Sequence, residues 1–243
     1  MSRVQAWALA RLPEVRPGDD LAALLRDGPY EPGDVLVVAH KVVSKAEGAV
    51  RALDAVVVSE RARALAREHG KDPRHMQVIL DESAAILRAQ RGVLICRTRH
   101  GFVCANAGVD TSNAPGDGVV VTLPRDPDAS ARRLRAALPN RPAVVVADSF
   151  GRAWRHGQCD VAIGLAGLAA LDDWRGRRDP RGLELRATAI AVADEAAAAA
   201  DLVRDKASRE PAVVVRGLRR FVSDEDGPGA AALVRPPAED LFP

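Results

Sequence analysis

The chain has 243 residues, 47% hydrophobic and 28% charged, with 35 basic against 33 acidic side chains. That length and composition suit a folded chain with a substantial core and exclude a disordered one. The near balance of charge gives no electrostatic ground for binding nucleic acid or a membrane surface, and no apolar run approaches a membrane span.

Three cysteines, Cys96, Cys104 and Cys159, form no C-x-x-C pair. An odd count without that spacing argues against a disulfide framework or a zinc site and fits a reducing cytoplasm. The apolar patch from Ala6 to Ala10 is broken at Arg11, too soon for a secretory signal, so a cytoplasmic protein is expected.

In chain order, "GDVLVVAHKVVSKAEG" (33–48) opens on a turn signal and reads as one buried strand. "SERARALAREHG" (59–70) reads as a helix with a Ser cap and a Gly stop. "DPRHMQVILDESAAILRAQRG" (72–92) reads as a second helix, capped by Asp72, started by Pro73 and followed by Gly92. Residues 92–108 read as two strands joined near His100 and Gly101, and "GVVVTLP" (118–124) as another. "DPDASARRLRAALPN" (126–140) repeats the Asp-Pro cap, with Ala131, Leu134 and Leu138 on one helical face. "PAVVVADSFGR" (142–152) is a short β-branched strand. Residues 182–203 begin with strand alternation at Leu183, Leu185 and Ala187 and end in an Ala-rich helix after Asp194. "PAVVVRG" (211–217) is a last buried strand, and the turn-rich tail is peripheral. Strands and helices alternate irregularly, which predicts a mixed α/β or α+β class.

Two segments share a grammar: an apolar strand, then an acid among small polar residues. They are "CANAGVDTSN", with Asp110, and "VVVADSFGR", with Asp148 and Ser149. Acids just past strand ends line the crevice of many α/β proteins, and carboxylates with hydroxyls suit Mg²⁺ or Mn²⁺ better than zinc. The plainer reading of each is an Asx-turn in which the Asp caps its own loop. Lys41 and Lys45, four apart after the buried run, suit phosphate as point charges, or else face solvent. "GRAWRHGQ" (151–158) gathers Arg152, Arg155, His156 and Gln158 in a glycine-bounded loop that could clamp an anion or else faces solvent. His69, His75 and His100 read as surface residues. No P-loop, no G-x-G-x-x-G and no G-x-S-x-G occurs.

In order, the chain carries "LPEVRPGDDL", "KVVSKAEG", "NAGVDTSN", "LPRDPDASA", "DSFGRAWRHGQCDVAIGLAG", "VADEAAAAADLV" and "PAVVVRG". By these motifs it resembles the coenzyme F420-0:L-glutamate ligase (F420-0 gamma-glutamyl ligase) family from about residue 11 to 242. The resemblance implies addition of L-glutamate to the terminal carboxylate of F420-0, first through the α-amino group and then as a γ-linked tail. It implies GTP as co-substrate, Mn²⁺ or Mg²⁺ at two sites and, in some members, K⁺. The implied fold is a family-specific mixed α/β arrangement in an intertwined homodimer, with nucleotide near the subunit interface. A single ligase domain over 1–243 is expected, the stand-alone form, without the nitroreductase-like domain that follows a "DLF" segment in some relatives.

By the same resemblance, Leu12, Pro13, Glu14 and Val15 contact the nucleotide, as do His40, Lys41, Lys45 and Asn113. Asp110 and Asp148 are metal ligands, and Ser149 stands where the family usually has Thr as ligand to a second metal. Asp205, in "VRDKASREP", is a further candidate ligand. His40 departs from the family, where a small hydroxyl residue is common. No catalytic base is assigned; Glu82 and His156 are the candidates. Another carboxylate acceptor, or a non-catalytic nucleotide binder, would keep the same residues.

Overall fold

The computed structural model describes residues 3–9, 12–205 and 209–241. Ala10, Arg11, residues 206–208 of "VRDKASREP", and Phe242 and Pro243 of the "DLF" end lie outside the described residues.

In chain order the elements are β1 (Gln5–Ala8), α1 (Leu21–Leu25), β2 (Val35–Ala39), α2 (His40–Ala46), β3 (Val50–Ala52), α3 (Glu60–His69) and α4 (Pro73–Glu82). There follow β4 (Ser83–Gln90), β5 (Val93–Thr98), β6 (Val103–Ala105), β7 (Val119–Val121), α5 (Pro127–Ala137), β8 (Ala143–Arg152) and β9 (Arg155–Ala166). The last are β10 (Asp172–Asp173), β11 (Ala189–Ile190), α6 (Val192–Asp201) and β12 (Ala212–Arg216). The class is mixed α/β, as expected.

The central sheet runs β1-β12-β2-β8-β9, with β2 and β8 parallel and the other neighbours antiparallel. Its valine-rich strands are buried on both faces, which is why they read as unbroken apolar runs. Alternation sends Leu36, Val38, Val144, Val146 and Val214 to one core, where Leu21, Leu25, Leu134 and Leu138 cover them. Val35, Val37, Val145, Val213 and Val215 face the other core, under Ala193, Ala196, Ala197 and Ala200 of α6. A third core joins Ala62, Met76, Ile79, Leu94 and Cys96 beneath α3, α4 and β5.

α3 and α5 form as their caps predict. Ser59 accepts from Ala62 N–H, Gly70 closes α3 in the left-handed region, and Asp126 accepts from Ala129 N–H. Elsewhere the chain departs from expectation. The strand expected over 33–48 ends at Ala39 and turns directly into α2. The helix expected over 72–92 ends at Glu82, and its second half is β4, hairpin partner of β5. The apolar N-terminal patch pairs as edge strand β1 with β12. Leu183–Ala187 form no strand, only an isolated bridge between Arg178 and Glu184. The tail is tied down: Arg135, 2% exposed, holds Asp226 and the carbonyls of Ser223 and Asp224. His69, His75 and His100 are half-buried rather than exposed, because the elements that carry them pack on cores.

Candidate active site

A cleft of about 780 Å³ opens at the end of the sheet where β2 and β8, running parallel, finish their buried stretches and where β12 begins. All twelve residues expected at the site line it: Leu12 to Val15, His40, Lys41, Lys45, Asp110, Asn113, Asp148, Ser149 and Asp205. They come from five separate stretches of chain.

α2 explains the cationic wall. Because β2 turns into a helix at His40, Lys41 and Lys45 stand one turn apart on one face. Lys41 Nζ lies 2.5 Å from Asp110 Oδ2 and also donates to Ser112 Oγ at 2.5 Å. Lys45 Nζ donates to Glu14 Oε1 at 2.7 Å and so fixes the 12–15 segment against α2. His40, deeply buried, places Nε2 3.2 Å from Asp148 Oδ1, while Nδ1 lies 3.3 Å from Ser44 Oγ.

Asp110 combines the turn of the plainer reading with a place on the cleft wall. It makes an Asx-turn, accepting from the backbone N–H and the hydroxyl of Ser112 at 2.8 Å each, and it faces the cleft. Its backbone is pinned by paired hydrogen bonds with Val121. The loop needs left-handed backbone at Asn106, Ala107 and Asn113 (φ 52, 53 and 55), a conformation Asn tolerates best after Gly. Burial raises the Asp110 pKa, but hydrogen bonds from Lys41 and Ser112 outweigh it and hold the carboxyl below the usual range.

Asp148 and Ser149 lie inside β8 rather than past its end, because β8 runs ten residues to Arg152 and folds back as β9. Asp148 Oδ1 accepts from Ser149 N–H at 2.8 Å. Ser149 pairs in register with Asp160 of β9, and its hydroxyl donates to Asp160 Oδ1 at 2.6 Å. Arg204, just beyond α6, donates to the other Asp160 oxygen. Neither Asp160 nor Arg204 was expected from sequence. No local sequence pattern marks either of them; Asp160 is buried in β9, and Arg204 lies just past α6.

Of the two readings of 151–158, the solvent-facing loop is the one the structure matches. Arg152, Arg155 and His156 sit exposed at the hairpin tip, and only Gln158 reaches the cleft wall. Of the two candidate bases, Glu82 pairs with Arg99 at 2.8 Å and His156 is at the tip; neither lines the cleft.

Asp110, Asp148, Ser149 and Asp160 present only oxygen donors, the kind that hard divalent cations take. Each of the three carboxylates is engaged by a protein side chain: the Lys41 ammonium, the His40 imidazole and the Arg204 guanidinium in turn. Among the described residues no three His, Cys, Asp or Glu side chains stand together as a ready metal cage. No helix among them is long and apolar enough to cross a membrane.

The chain matches the model of the F420-0:gamma-glutamyl ligase family over residues 10–217. It is 48% identical to the coenzyme F420:L-glutamate ligase of Methanopyrus kandleri, over 99% of this chain and 97% of that protein. It is 43% identical to the protein of the same name from Methanothermobacter thermautotrophicus, over 95% of each. The coenzyme F420:L-glutamate ligase of Methanocaldococcus jannaschii is 40% identical, over 95% of this chain and 94% of that one. On a match that spans most of the chain, and on near full-length relatives, the chain belongs to the F420-0:gamma-glutamyl ligase family of enzymes.

Proposed function

We propose that this chain joins L-glutamate to the terminal carboxylate of coenzyme F420-0, with GTP as energy source, and extends the product by γ-linkage. The observation that carries the reading is the meeting in one cleft of Lys41 and Lys45 with Asp110, Asp148 and Ser149. A carboxylate is a poor electrophile at neutral pH. Transfer of the GTP γ-phosphoryl group to it gives an acyl phosphate and GDP. The neutral amine of glutamate then attacks the acyl carbon, the amide forms, and inorganic phosphate leaves.

The chain's part in this is positioning and charge. Lys41 and Lys45, on consecutive turns of one rigid helix, meet the phosphates as point charges. The 12–15 segment, fixed to α2 through Glu14 and Lys45, and Asn113, which lines the same cleft, hold the nucleotide. His40, 3.2 Å from Asp148 Oδ1, orients that carboxylate. The oxygen donor set fits Mn²⁺ or Mg²⁺ in kind, with Asp110, Asp148 and Ser149, joined by Asp205, as the residues that would hold two such ions; K⁺ belongs to the same proposal. A divalent ion bound there screens phosphate charge and polarises phosphoryl oxygen. A homodimer completing the nucleotide groove is part of this reading.

The test is coupling. With GTP, Mn²⁺, F420-0 and glutamate, GDP should accumulate only when both acceptor and amino acid are present. Equal GDP release with either one omitted would remove the ligase reading.

A further inference from the structure

Ser149 and Asp160 face each other across the β8–β9 ladder, and the Ser149 hydroxyl donates to Asp160 Oδ1 at 2.6 Å. We propose that Asp160 is a positioning residue for the metal centre: by accepting this hydrogen bond it turns the lone pairs of Ser149 toward the cleft, where a divalent cation is held. The inference rests on the reading of Ser149 as a metal ligand given above.

A serine hydroxyl has one O–H donor and two lone pairs, and its hydrogen rotates to suit its surroundings. As a neutral ligand it offers a cation only a lone pair, so the hydrogen must point elsewhere. The side chain also has three staggered rotamers open to it. The bond to Asp160 settles both matters at once. It selects the rotamer and commits the hydrogen, so that Ser149 presents lone-pair density to the cleft it lines. An acceptor that is a carboxylate also makes the hydroxyl oxygen more basic, as outer-shell carboxylates do for metal-bound histidines.

Asp160 is itself held in that direction. It is buried, and its other oxygen accepts from Arg204, which also donates to the Pro211 carbonyl at 3.3 Å. The same carbonyl accepts from Ala39 N–H at 2.9 Å, where β2 turns into α2. Hydroxyl, carboxylate, guanidinium and main chain therefore form a relay from Ser149 to the start of α2. The first residue of α2, His40, meets Asp148, the chain neighbour of Ser149. With one oxygen engaged by Ser149 and the other by Arg204, Asp160 acts on a cation through the serine rather than by direct contact. A buried ion pair adds little net stability over apolar side chains of the same size, so what this pair contributes is geometry.

Titration of Mn²⁺ into nucleotide-free protein, with free Mn²⁺ read by electron paramagnetic resonance, tests this apart from turnover. The chains are wild type, Ser149→Ala, Ser149→Thr, Asp160→Glu and the double variant Ser149→Ala with Asp160→Glu, each checked for a cooperative thermal melt. Asp160→Glu keeps the charge but displaces the acceptor by a methylene, and should weaken one Mn²⁺ site by about tenfold. Ser149→Ala should weaken the same site by at least as much, whereas Ser149→Thr, which keeps the hydroxyl, should stay within about threefold of wild type. The double variant decides: it should bind Mn²⁺ within about threefold of Ser149→Ala, because Asp160 acts through that hydroxyl. Losses that multiply in the double variant, or unchanged or tighter binding in Asp160→Glu, would overturn the inference. If Asp160→Glu does not fold, Asp160→Asn takes its place in the same cycle. Wild type that binds no Mn²⁺, or binding that Ser149→Ala leaves unmoved, overturns the metal reading of Ser149 with it; a Ser149 effect that Asp160 does not share overturns this inference alone.

Discussion

Lys41 Nζ and Asp110 Oδ2 meet at 2.5 Å across 69 residues of sequence. α2 delivers the ammonium and the Asx-turn after β6 delivers the carboxylate, so each is the other's counter-ion. An ion that takes Asp110 must displace Lys41, and a phosphate that takes Lys41 releases Asp110. In the proposed reading, metal and nucleotide would therefore help each other bind, and by linkage the help would be equal in both directions.

Lys41→Met removes the competitor from Asp110. In nucleotide-free protein it should tighten Mn²⁺ by about tenfold and weaken GTP by a similar factor. Titration of free Mn²⁺ by electron paramagnetic resonance reads the first effect. Unchanged or weaker Mn²⁺ binding would mean that Lys41 does not guard Asp110.

His100 makes stability depend on pH. Its ring stacks on Phe102 at a centroid distance of 5.7 Å, and burial pushes its pKa below the usual 6.5. The native state then resists a proton that the unfolded chain accepts. The contribution is complete above pH about 6.5 and is lost as pH falls below that toward the depressed value, at no more than about 1.4 kcal/mol per pH unit. His75, also lowered by burial, acts in the same direction. His100→Gln should be less stable at neutral pH but should lose less between pH 7 and 5, as read from urea midpoints. An equally steep decline in the variant would show that His100 does not titrate in that window.

Gly167 sits at φ 76, and a side chain there would run into the buried Arg135 guanidinium that anchors the tail at Asp226. Gly167→Ala should cost about 1–3 kcal/mol in urea unfolding, from left-handed backbone and overpacking together. Nucleotide binding should be unaffected, because neither residue lines the cleft. A neutral effect on stability would mean that Arg135 moves aside freely.

Among the helices with side-chain caps, the starts of α3, α4 and α5 were legible because Ser59, Asp72 and Asp126 announce them, whereas the five-residue α1, capped by Asp20, is too short to show a periodic face. α2 was not legible either. It has no side-chain cap, and its valines continue the apolar run of β2 without a break. The boundary between α4 and β4 hides for the same reason: "SAAILRAQ" fits a helical face as well as a strand, and only pairing with β5 decides it. Long β8 absorbed Asp148 and Ser149 because the hairpin with β9 carries its ladder past the buried stretch. The site residues were legible in groups, as acids among small polar neighbours and as lysines four apart. Which acid meets which cation was not, since Lys41 with Asp110 and Arg204 with Asp160 are contacts across the fold. Asp160 lies in "GQCDVAIG", where no local pattern separates a cleft carboxylate from an ordinary strand residue.

The measurement that bears most directly on the proposed reaction is mass spectrometry of F420-0 incubated with the purified chain, glutamate, GTP and Mn²⁺, beside Asp148→Ala. Asp148 is the carboxylate that His40 orients and that Ser149 follows in β8. Glutamate-sized mass steps in the wild type, reduced by about a hundredfold or more in the variant, are the predicted result. No mass step in wild type that still binds GTP would contradict the assigned acceptor, and equal steps in Asp148→Ala would contradict the site.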